Sequence, residues 1–438
     1  MVMVEETTKL ILPALVIPIH FAYGQKEQPF SAGMGEEEEK RGLCLIHLLV
    51  ACANQVAAGS VHHANVGLEY ISHLASPDGD TMQRIAAYFT EALADRMLKA
   101  TWPPLHRALN STRIHSLADQ FLAHKLFFQF CPFLNLSHAL TNQAILQAMA
   151  GERLVHIIDL NPFHPSQWLS LLRALRARPE GPPHLKITGV HEQKEVLDHV
   201  ARRLNEEAEK LDIPFQFNSI VSRLENLLPE RLPVKMGEAV AVASVLQLHT
   251  LLADGPNSSA EFLEKDVQIS SPAIPPSKLS NFLTGLWSIS PKIMVITEQE
   301  VNDNAMNLMD RVMESLNFYA ALFDCLESTM PRASLERLKI EKMLFGEEIK
   351  NIIACEGVHR KTRHERLDKW NVRLEMAGFR KAALSCHSLM LARRLLQSWS
   401  FQGYKIRDEN GSFMICWHDQ PLFAVSAWRR RRGNTMIH

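Results

Sequence analysis

The segment from Leu154 to Val190 constrains the fold of this 438-residue chain more than any other. It opens with the apolar run Leu154–Leu160, continues through a proline-containing loop and a helical pattern at Gln167–Arg178, and closes with the apolar run Leu185–Val190. Continuous apolar runs separated by a helix are typical of buried parallel strands joined by a crossover helix. The segment therefore predicts the first β-α-β unit of an α/β sheet.

Strand and helix patterns continue to alternate after this unit. The further strand patterns, each next to a helical pattern, lie at Phe215–Ile220, Ala239–Gln247 and Ile293–Thr297. Three short strand patterns near the C-terminus lie at Gly403–Ile406, Ser412–Trp417 and Leu422–Trp428. Asn410-Gly411 between the first two of these is a strong hairpin signal. A mostly parallel sheet that ends in an antiparallel hairpin is the layout of class I methyltransferases, so we predict a Rossmann-like α/β core of that type.

The first part of the chain is predicted to be helical. Apolar residues recur at helical spacing in Leu43–Val56, Val66–Leu74, Met82–Leu98, Ile114–Phe130 and Ser137–Met149. The predicted organisation is a variable, disordered arm at 1–40, a helical cap at 41–150, an α/β core at 151–429 and a basic tail at 430–438.

Composition argues against several classes of protein. The formal net charge of −1 differs from the basic excess that a dedicated nucleic-acid-binding domain usually carries. Seven scattered cysteines, an odd number, are typical of buried free thiols in a reducing compartment. The apolar run Ile11–Ile19 is too short to span a bilayer, and Glu5 and Glu6 before it differ from the positive start of a secretory signal. We therefore expect neither a disulfide framework nor a membrane span.

Asp159 ends the first predicted strand, where a Rossmann-type protein binds its cofactor. Glu192, which follows the second strand, is placed to hold ribose hydroxyls. A nucleotide or S-adenosylmethionine site also needs glycines after the first strand, whereas this loop contains Pro162, Phe163 and Pro165. Two alternatives follow: cofactor binding by Asp159 and Glu192, or an Asp159 that caps or braces a helix. The missing glycines favour the second, and we expect no cofactor.

Catalytic motifs are not recognisable in the sequence. His156 lies inside the first strand pattern, where a histidine is more often a hydrogen-bonded core residue than a catalytic group. The chain contains no HExxH, CxxC, GxSxG or P-loop pattern. We therefore expect neither a metal site nor an enzyme.

Two leucine-rich helical segments flank the first strand. In Leu43–Val56 the candidate partner-binding residues are Leu45, Leu48, Leu49 and Val56. In Val196–Leu211 they are Leu197 and Leu204. Each segment could bind a partner helix, or it could simply bury its apolar face inside the fold. Packing against the sheet is favoured for the second segment, whereas the first leaves both alternatives open.

Basic residues cluster in two places. The cluster Arg360–Arg366 is interleaved with Glu365 and followed by Asp368, which favours a solvated helix face. The run Arg429-Arg430-Arg431-Arg432 contains no acid. It could serve nuclear import or DNA contact, or act as a solubilising tail, and the sequence favours neither alternative.

The order of the motifs resembles that of the plant GRAS family. The match to the family's naming motif is literal, because Val155-His156-Ile157-Ile158-Asp159 is followed by Gln167-Trp168. Met309–Glu327 is similar to the family's fourth block and Arg337–Phe379 to its fifth, and Ser426-Ala427-Trp428 matches its closing motif. The two leucine-rich segments correspond to the family's leucine repeats, so the resemblance covers 41–429.

This resemblance implies a non-enzymatic, nuclear transcriptional regulator with a methyltransferase-like core and a helical cap. Family members act mainly through contacts with other GRAS proteins, of the DELLA or Scarecrow type, and with DNA-binding transcription factors. The implied setting is gibberellin signalling and root development, with homodimers or heterodimers, indirect contact with DNA and no membrane. Two alternatives remain: a small-molecule binder or methyltransferase that uses Asp159 and Glu192, and a direct DNA binder that uses Arg429–Arg432.

Overall fold

The computed structural model describes residues 32–111, 117–253, 277–399 and 402–431. Four sequence features therefore lie wholly or partly outside the described residues: most of the N-terminal arm with its apolar run, the start of the helix predicted from Ile114, most of the polar loop before Lys278, and the basic tail from Arg432 on.

The helices of the described residues are α1 (Ala32–Ala57), α2 (Val61–Leu74), α3 (Thr81–Thr101), α4 (Pro103–Asn110), α5 (Leu117–Phe130), α6 (Phe133–Ala148), α7 (Pro165–Arg176), α8 (Lys194–Lys210), α9 (Lys278–Ser288), α10 (Leu308–Thr329), α11 (Leu335–Ile340), α12 (Glu347–Ala354), α13 (Leu367–Met376) and α14 (Cys386–Gln397). The strands are β1 (Leu154–Asp159), β2 (His184–His191), β3 (Phe215–Val221), β4 (Ala239–Val245), β5 (Ile293–Gln299), β6 (Phe379–Ala382), β7 (Tyr404–Glu409), β8 (Ser412–Trp417) and β9 (Gln420–Arg430).

The chain divides into two compact units. Of the described residues, the helical unit contains those up to Phe130 together with Ala305–Cys355, and the sheet unit contains those from Cys131 to Asn304 and from Glu356 on. This division differs from the predicted boundary at residue 150, because α6 belongs to the sheet unit. Its Ser137 hydroxyl lies 2.6 Å from the Thr297 hydroxyl of β5. Helical periodicity identifies the apolar face of a helix but not the element on which that face packs.

Local sequence signals fix the limits of α3. Asp80 accepts the Gln83 backbone N–H at 2.9 Å, and the Gln83 side chain accepts the Asp80 backbone N–H at 3.1 Å, which completes a capping box. The helix ends before Trp102 because Pro103 and Pro104 cannot continue its hydrogen bonding. Pro103 then occupies the first position of α4, a helix that the sequence pattern did not predict.

A buried ion cluster links three helical segments within the helical unit. The Arg84 guanidinium of α3 is completely buried and lies 2.9 Å from Glu327 and 3.1 Å from Glu341. Arg337 lies 2.6 Å from the same Glu327 oxygen and 3.6 Å from Glu341. These four side chains tie together segments that are far apart in the sequence.

The sheet has the order β3-β2-β1-β4-β5-β9-β8-β7, with β6 also paired to β9. Strands β1 to β5 are parallel, whereas β9 pairs with β5, β6 and β8 in antiparallel fashion. In β9, Ser426, Ala427 and Trp428 face Ile296, Val295 and Met294 of β5 in register. The closing motif thus completes the sheet beside its last parallel strand.

The predicted strands are confirmed with small differences in their limits. Asn410 and Gly411 both have positive φ angles, 53° and 79°, as a tight primed turn between β7 and β8 requires. The pattern missed β6, because a four-residue strand is too short to show a period.

All seven cysteines are free thiols, as predicted. Cys52, Cys131, Cys325 and Cys416 are buried, and burial raises the pKa of Cys52 to about 11. Cys44 and Cys386 are exposed, so the expectation of burial is wrong for these two.

Candidate functional site

The protein itself binds both oxygens of the acid that ends β1. Asn161 donates its backbone N–H to Oδ1 of Asp159 at 2.9 Å, and the Trp168 indole N–H donates to Oδ2 at 2.6 Å. Asp159 is 2% exposed. Burial raises its pKa to about 6, against the lowering effect of these two bonds. The carboxylate therefore connects β1 to the following loop and to α7. This arrangement agrees with the alternative in which Asp159 braces a helix instead of binding a cofactor.

Side chains fill the space beyond the carboxyl ends of β1 and β2. A Cβ atom added to Gly189 would lie 3.0 Å from Cγ of Pro162, which is itself buried. Glu192 is exposed and binds Nε of Arg223 at 2.8 Å. Asp159 and Glu192 thus have separate partners, and the residues of this loop do not fit a nucleotide cofactor, which needs open, glycine-lined backbone here.

His156 is a fully buried, hydrogen-bonded residue of the sheet. Its Nδ1 lies 2.8 Å from Glu238 and its Nε2 lies 2.7 Å from the Thr188 hydroxyl. Burial, and then the charge of Lys186, lower its pKa below the usual histidine value. The ring is therefore neutral at pH 7, and the interpretation of His156 as a core residue is confirmed.

The basic segment Arg360–Arg366 is largely buried in an irregular loop, so the prediction of a solvated helix face is wrong. Arg360 donates to the Asp303 carbonyl at 2.7 Å, and Arg363 donates to the side chain of Asn304 at 3.0 Å. His364 binds both Asp303 oxygens, at 2.5 Å from its backbone N–H and 2.7 Å from Nδ1. Charge alternation cannot distinguish a solvated face from ions paired inside a fold.

Sequence reasoning missed a further polar group where β5 ends. Glu298 is 3% exposed, accepts the Leu248 backbone N–H at 2.8 Å and lies 2.9 Å from Nδ1 of His249. The His249 ring lies 4.4 Å from that of His364. An acid at the end of the fifth strand pattern was the available signal. Because these groups pair with one another, they brace the loops at this edge of the sheet.

The leucine-rich helices mostly bury the residues that were candidates for partner binding. Leu45 and Leu49 of α1 are in the core, and Leu48 and Val56 are partly buried. Because direct contact of Leu45 and Leu49 with a partner would require the fold to open, the structure corrects that part of the prediction.

The packing alternative holds for the second leucine-rich segment. Leu197 and Leu204 of α8 are completely buried. This helix packs against β2 and β3 through its apolar face.

Exposed apolar residues of the helical unit lie instead on α2 and α4. The α2 stripe comprises Val66, Tyr70 and Leu74, which are 52%, 47% and 41% exposed and recur every fourth residue on one face of the helix. The α4 stripe comprises Trp102, which directly precedes the helix, with Leu105 and Leu109, and is 40% to 65% exposed. Isolated apolar residues are common on protein surfaces, whereas contiguous apolar stripes mark contact sites.

The first two arginines of the run, Arg429 and Arg430, are the last residues of strand β9 and therefore do not belong to a tail. Arg430 stacks on the Trp287 ring at 3.8 Å. Arg429 stands directly opposite Arg380 of β6, and both side chains are exposed. Arg431 is also exposed, and Arg432 lies outside the described residues. The guanidinium of Arg430 is thus engaged within the fold, whereas those of Arg380 and Arg429 face solvent.

Among the described residues, no helix combines the length and apolarity needed to cross a bilayer.

A family model described as the GRAS domain family matches residues 45–429. Scarecrow-like protein 3 of Arabidopsis thaliana is 53% identical to the chain, over 92% of either protein. DELLA protein RGL1 of the same plant is 35% identical over 90% of the chain and 72% of its own length.

A solved structure agrees with the fold. The crystal structure of SCL7 from Oryza sativa superposes with a TM-score of 0.74 at 28% identity and covers 88% of this chain and 99% of that one. The predicted Rossmann-like core with a helical cap is confirmed by this match and by the strand order. The chain therefore belongs to the GRAS family of plant transcription regulators.

Proposed function

We propose that this protein is a non-enzymatic nuclear co-regulator that acts through contacts with other GRAS proteins and with DNA-binding transcription factors. Gibberellin signalling and root development are the proposed setting. The observation that carries the proposal is the pair of exposed apolar stripes on the helical unit. The similarity to a DELLA protein supports a partner of that type.

The chemistry at the carboxyl edge of the sheet supports a non-enzymatic role. Catalysis at this edge needs a cleft and polar groups aimed at a substrate. Asp159, His156 and Glu298 instead bind neighbouring parts of the protein, and each is less than 4% exposed. These three side chains thus stabilise the sheet unit rather than face a substrate.

Charge introduced into the α2 stripe is expected to abolish partner binding. In the double variant Val66→Glu/Tyr70→Glu, two carboxylates would lose their hydration at the contact, which should weaken the complex with a DELLA-type protein at least about tenfold. Both side chains are about half exposed, so the variant should still fold. Light scattering of the purified chain mixed with the partner measures the effect.

The matched control is Met376→Glu/Met390→Glu, which places the same charges on exposed apolar residues of the sheet unit, 73% and 61% exposed. This control should bind the partner normally. Unchanged binding by the α2 variant would contradict the proposal. A saturable rise of the melting temperature with S-adenosylmethionine would favour the alternative of a small-molecule binder at Asp159 and Glu192, since a ligand stabilises the state that binds it.

Direct DNA contact is a second candidate function, favoured by the cross-strand pair Arg380–Arg429. Like charges directly opposite each other destabilise an antiparallel pair unless an anion neutralises them. In the double variant Arg380→Ser/Arg429→Ser, the affinity for duplex DNA is expected to depend less steeply on salt concentration. The slope should fall by the equivalent of about two phosphate contacts. Arg393→Ser/Arg394→Ser, on the exposed surface of α14, is the control with the same change of charge. If both variants bind DNA like the parent chain at every salt concentration, the candidate is wrong.

A further inference from the structure

The turn between α2 and α3 carries a serine that is followed directly by a proline. The Gly79 backbone N–H donates to the Ser76 carbonyl at 3.2 Å, which closes a β-turn with Pro77 and Asp78 at its centre. Serine, proline and glycine at the first, second and fourth positions are typical of a type I turn. Pro77 and Asp78 are exposed, and Ser76 is partly exposed. The Ser-Pro dipeptide is therefore accessible at the surface of the helical unit.

The Ser76 hydroxyl makes only a weak contact within this turn. Its Oγ accepts the Asp78 backbone N–H at 3.3 Å, which is longer than a usual N–H···O hydrogen bond. The turn is held mainly through the backbone, because the Ser76 N–H donates to the Gln83 carbonyl of α3 at 3.2 Å. The hydroxyl can thus be modified without the loss of a strong hydrogen bond.

A second Ser-Pro dipeptide, Ser290-Pro291, differs in its accessibility. Pro291 is buried just before β5 begins. The Ser290 hydroxyl accepts a hydrogen bond from the Arg430 guanidinium. The Lys292 backbone N–H donates to the Val240 carbonyl of β4 at 2.8 Å. Proline-directed kinases bind the proline that follows the target serine, so a folded sheet withholds this dipeptide from them.

We propose that Ser76 is a phosphorylation site for a proline-directed serine kinase and that its phosphorylation releases the partner from α2. The bond from Oγ of Ser76 to the γ-phosphorus of ATP forms as the bond to the β-phosphate oxygen breaks, and ADP and the hydroxyl proton are released. The regulatory part rests on the proposed function, because it requires a partner that binds the α2 stripe.

Three features of this position make a phosphate unfavourable for partner binding. Ser76 is the second residue after α2, whose C-terminus is the negative end of the helix dipole. Asp78 and Asp80, the N-cap of α3, add negative charge to the same turn. Leu74, the last residue of the α2 stripe, lies two positions before Ser76. A phosphate of about −1.5 to −2 charge in such a place acts by repulsion and by its desolvation cost. It therefore weakens both the last turn of α2 and the apolar contact.

Phosphorylation of Ser76 is expected to weaken the complex with a DELLA-type protein at least about tenfold. The test uses the full chain with Ser271→Ala, because the third Ser-Pro dipeptide, Ser271-Pro272, lies outside the described residues. After treatment with a mitogen-activated protein kinase and ATP, mass spectrometry should find a phosphate at Ser76 and none at Ser290. Light scattering of the treated chain mixed with the partner measures the affinity, and a phosphatase should restore it.

Ser76→Ala in the same chain is the matched control, and its partner binding should not change on kinase treatment. The assignment of the site is overturned if Ser76 takes up no phosphate while a synthetic peptide of residues 70–82 does, or if Ser290 is modified as readily. A chain phosphorylated at Ser76 that binds the partner like the parent would overturn the regulatory part and leave the proposed function intact. If the Val66→Glu/Tyr70→Glu variant also binds normally, the proposed function fails and the regulatory part fails with it.

Discussion

Replacing Arg84 with methionine is expected to lower the free energy of unfolding by about 3–5 kcal/mol, measured by urea denaturation. Methionine fills similar space, but it leaves Glu341 completely buried without its partner at 3.1 Å. The remaining counter-charge, Arg337, is 3.6 Å away and is shared with Glu327. Removing the nearest counter-charge from a buried carboxylate is among the most costly changes that a core can undergo.

Two further variants test this explanation. Arg84→Met/Glu341→Leu should recover much of the loss, because an apolar pair of similar volume can replace a buried ion pair. Arg332→Met removes an ion pair to Glu327 from a side chain that is 58% exposed, and it should cost no more than about 1 kcal/mol. Equal losses for Arg84→Met and Arg332→Met would show that the burial of the cluster has no energetic consequence.

The loss caused by Arg84→Met should increase with pH. Burial raises the pKa of Glu341 to about 7 even with two arginines beside it. Removing Arg84 raises this pKa further. A raised carboxyl pKa means that the folded state binds the proton more tightly, so its stability falls as the pH rises from about 4.5 through 7. In urea denaturation, the free energy of unfolding that the variant loses relative to the parent chain should therefore be larger at about pH 8 than at about pH 5.

The second large effect is expected at Trp428. Trp428→Ala should cost about 3–5 kcal/mol, because the side chain is completely buried in the core around β4, β5 and α13 and a cavity would remain. The indole N–H also donates to the Ser426 hydroxyl at 2.9 Å. The free energy of unfolding in urea gives the magnitude.

Trp102→Ala is the matched control for this prediction. The same truncation at a side chain that is 65% exposed should change stability by less than about 0.5 kcal/mol. If Trp428→Ala is as mild as Trp102→Ala, the closing motif does not maintain the core, and its role must be sought at the surface instead.

The apolar runs were sufficient to predict the sheet. Strands such as Val155–Ile158 and Ala239–Val245 are buried on both faces, so they show in the sequence as runs dominated by Val, Ile and Ala. The Asn410-Gly411 turn was predictable for a similar reason, since few residue pairs adopt its backbone angles. The absence of glycines after β1 likewise favoured the brace at Asp159 over a cofactor site.

The candidate site was less predictable than the fold. The leucines of α1 and α8 show the helical spacing both of a docking surface and of a packed face, and only their burial distinguishes the two. From the sequence, Arg363 and Glu365 are simply two charged residues. In the structure, the loop after α12 places both side chains within hydrogen-bond distance of Asn304. Pairing between residues about 60 positions apart leaves no local periodicity to read.

By itself, the sequence determined the family and the alternation of strands and helices, because both are written in local patterns of residue type. Tertiary structure decided which apolar faces remain exposed, as for Val66 and Tyr70, and which charges are paired, as for Arg84. It also decided that α6 joins the sheet and that Ala305–Cys355 joins the helical unit. The physical reason is that burial and ion pairing depend on long-range packing, which a residue's chain neighbours do not specify.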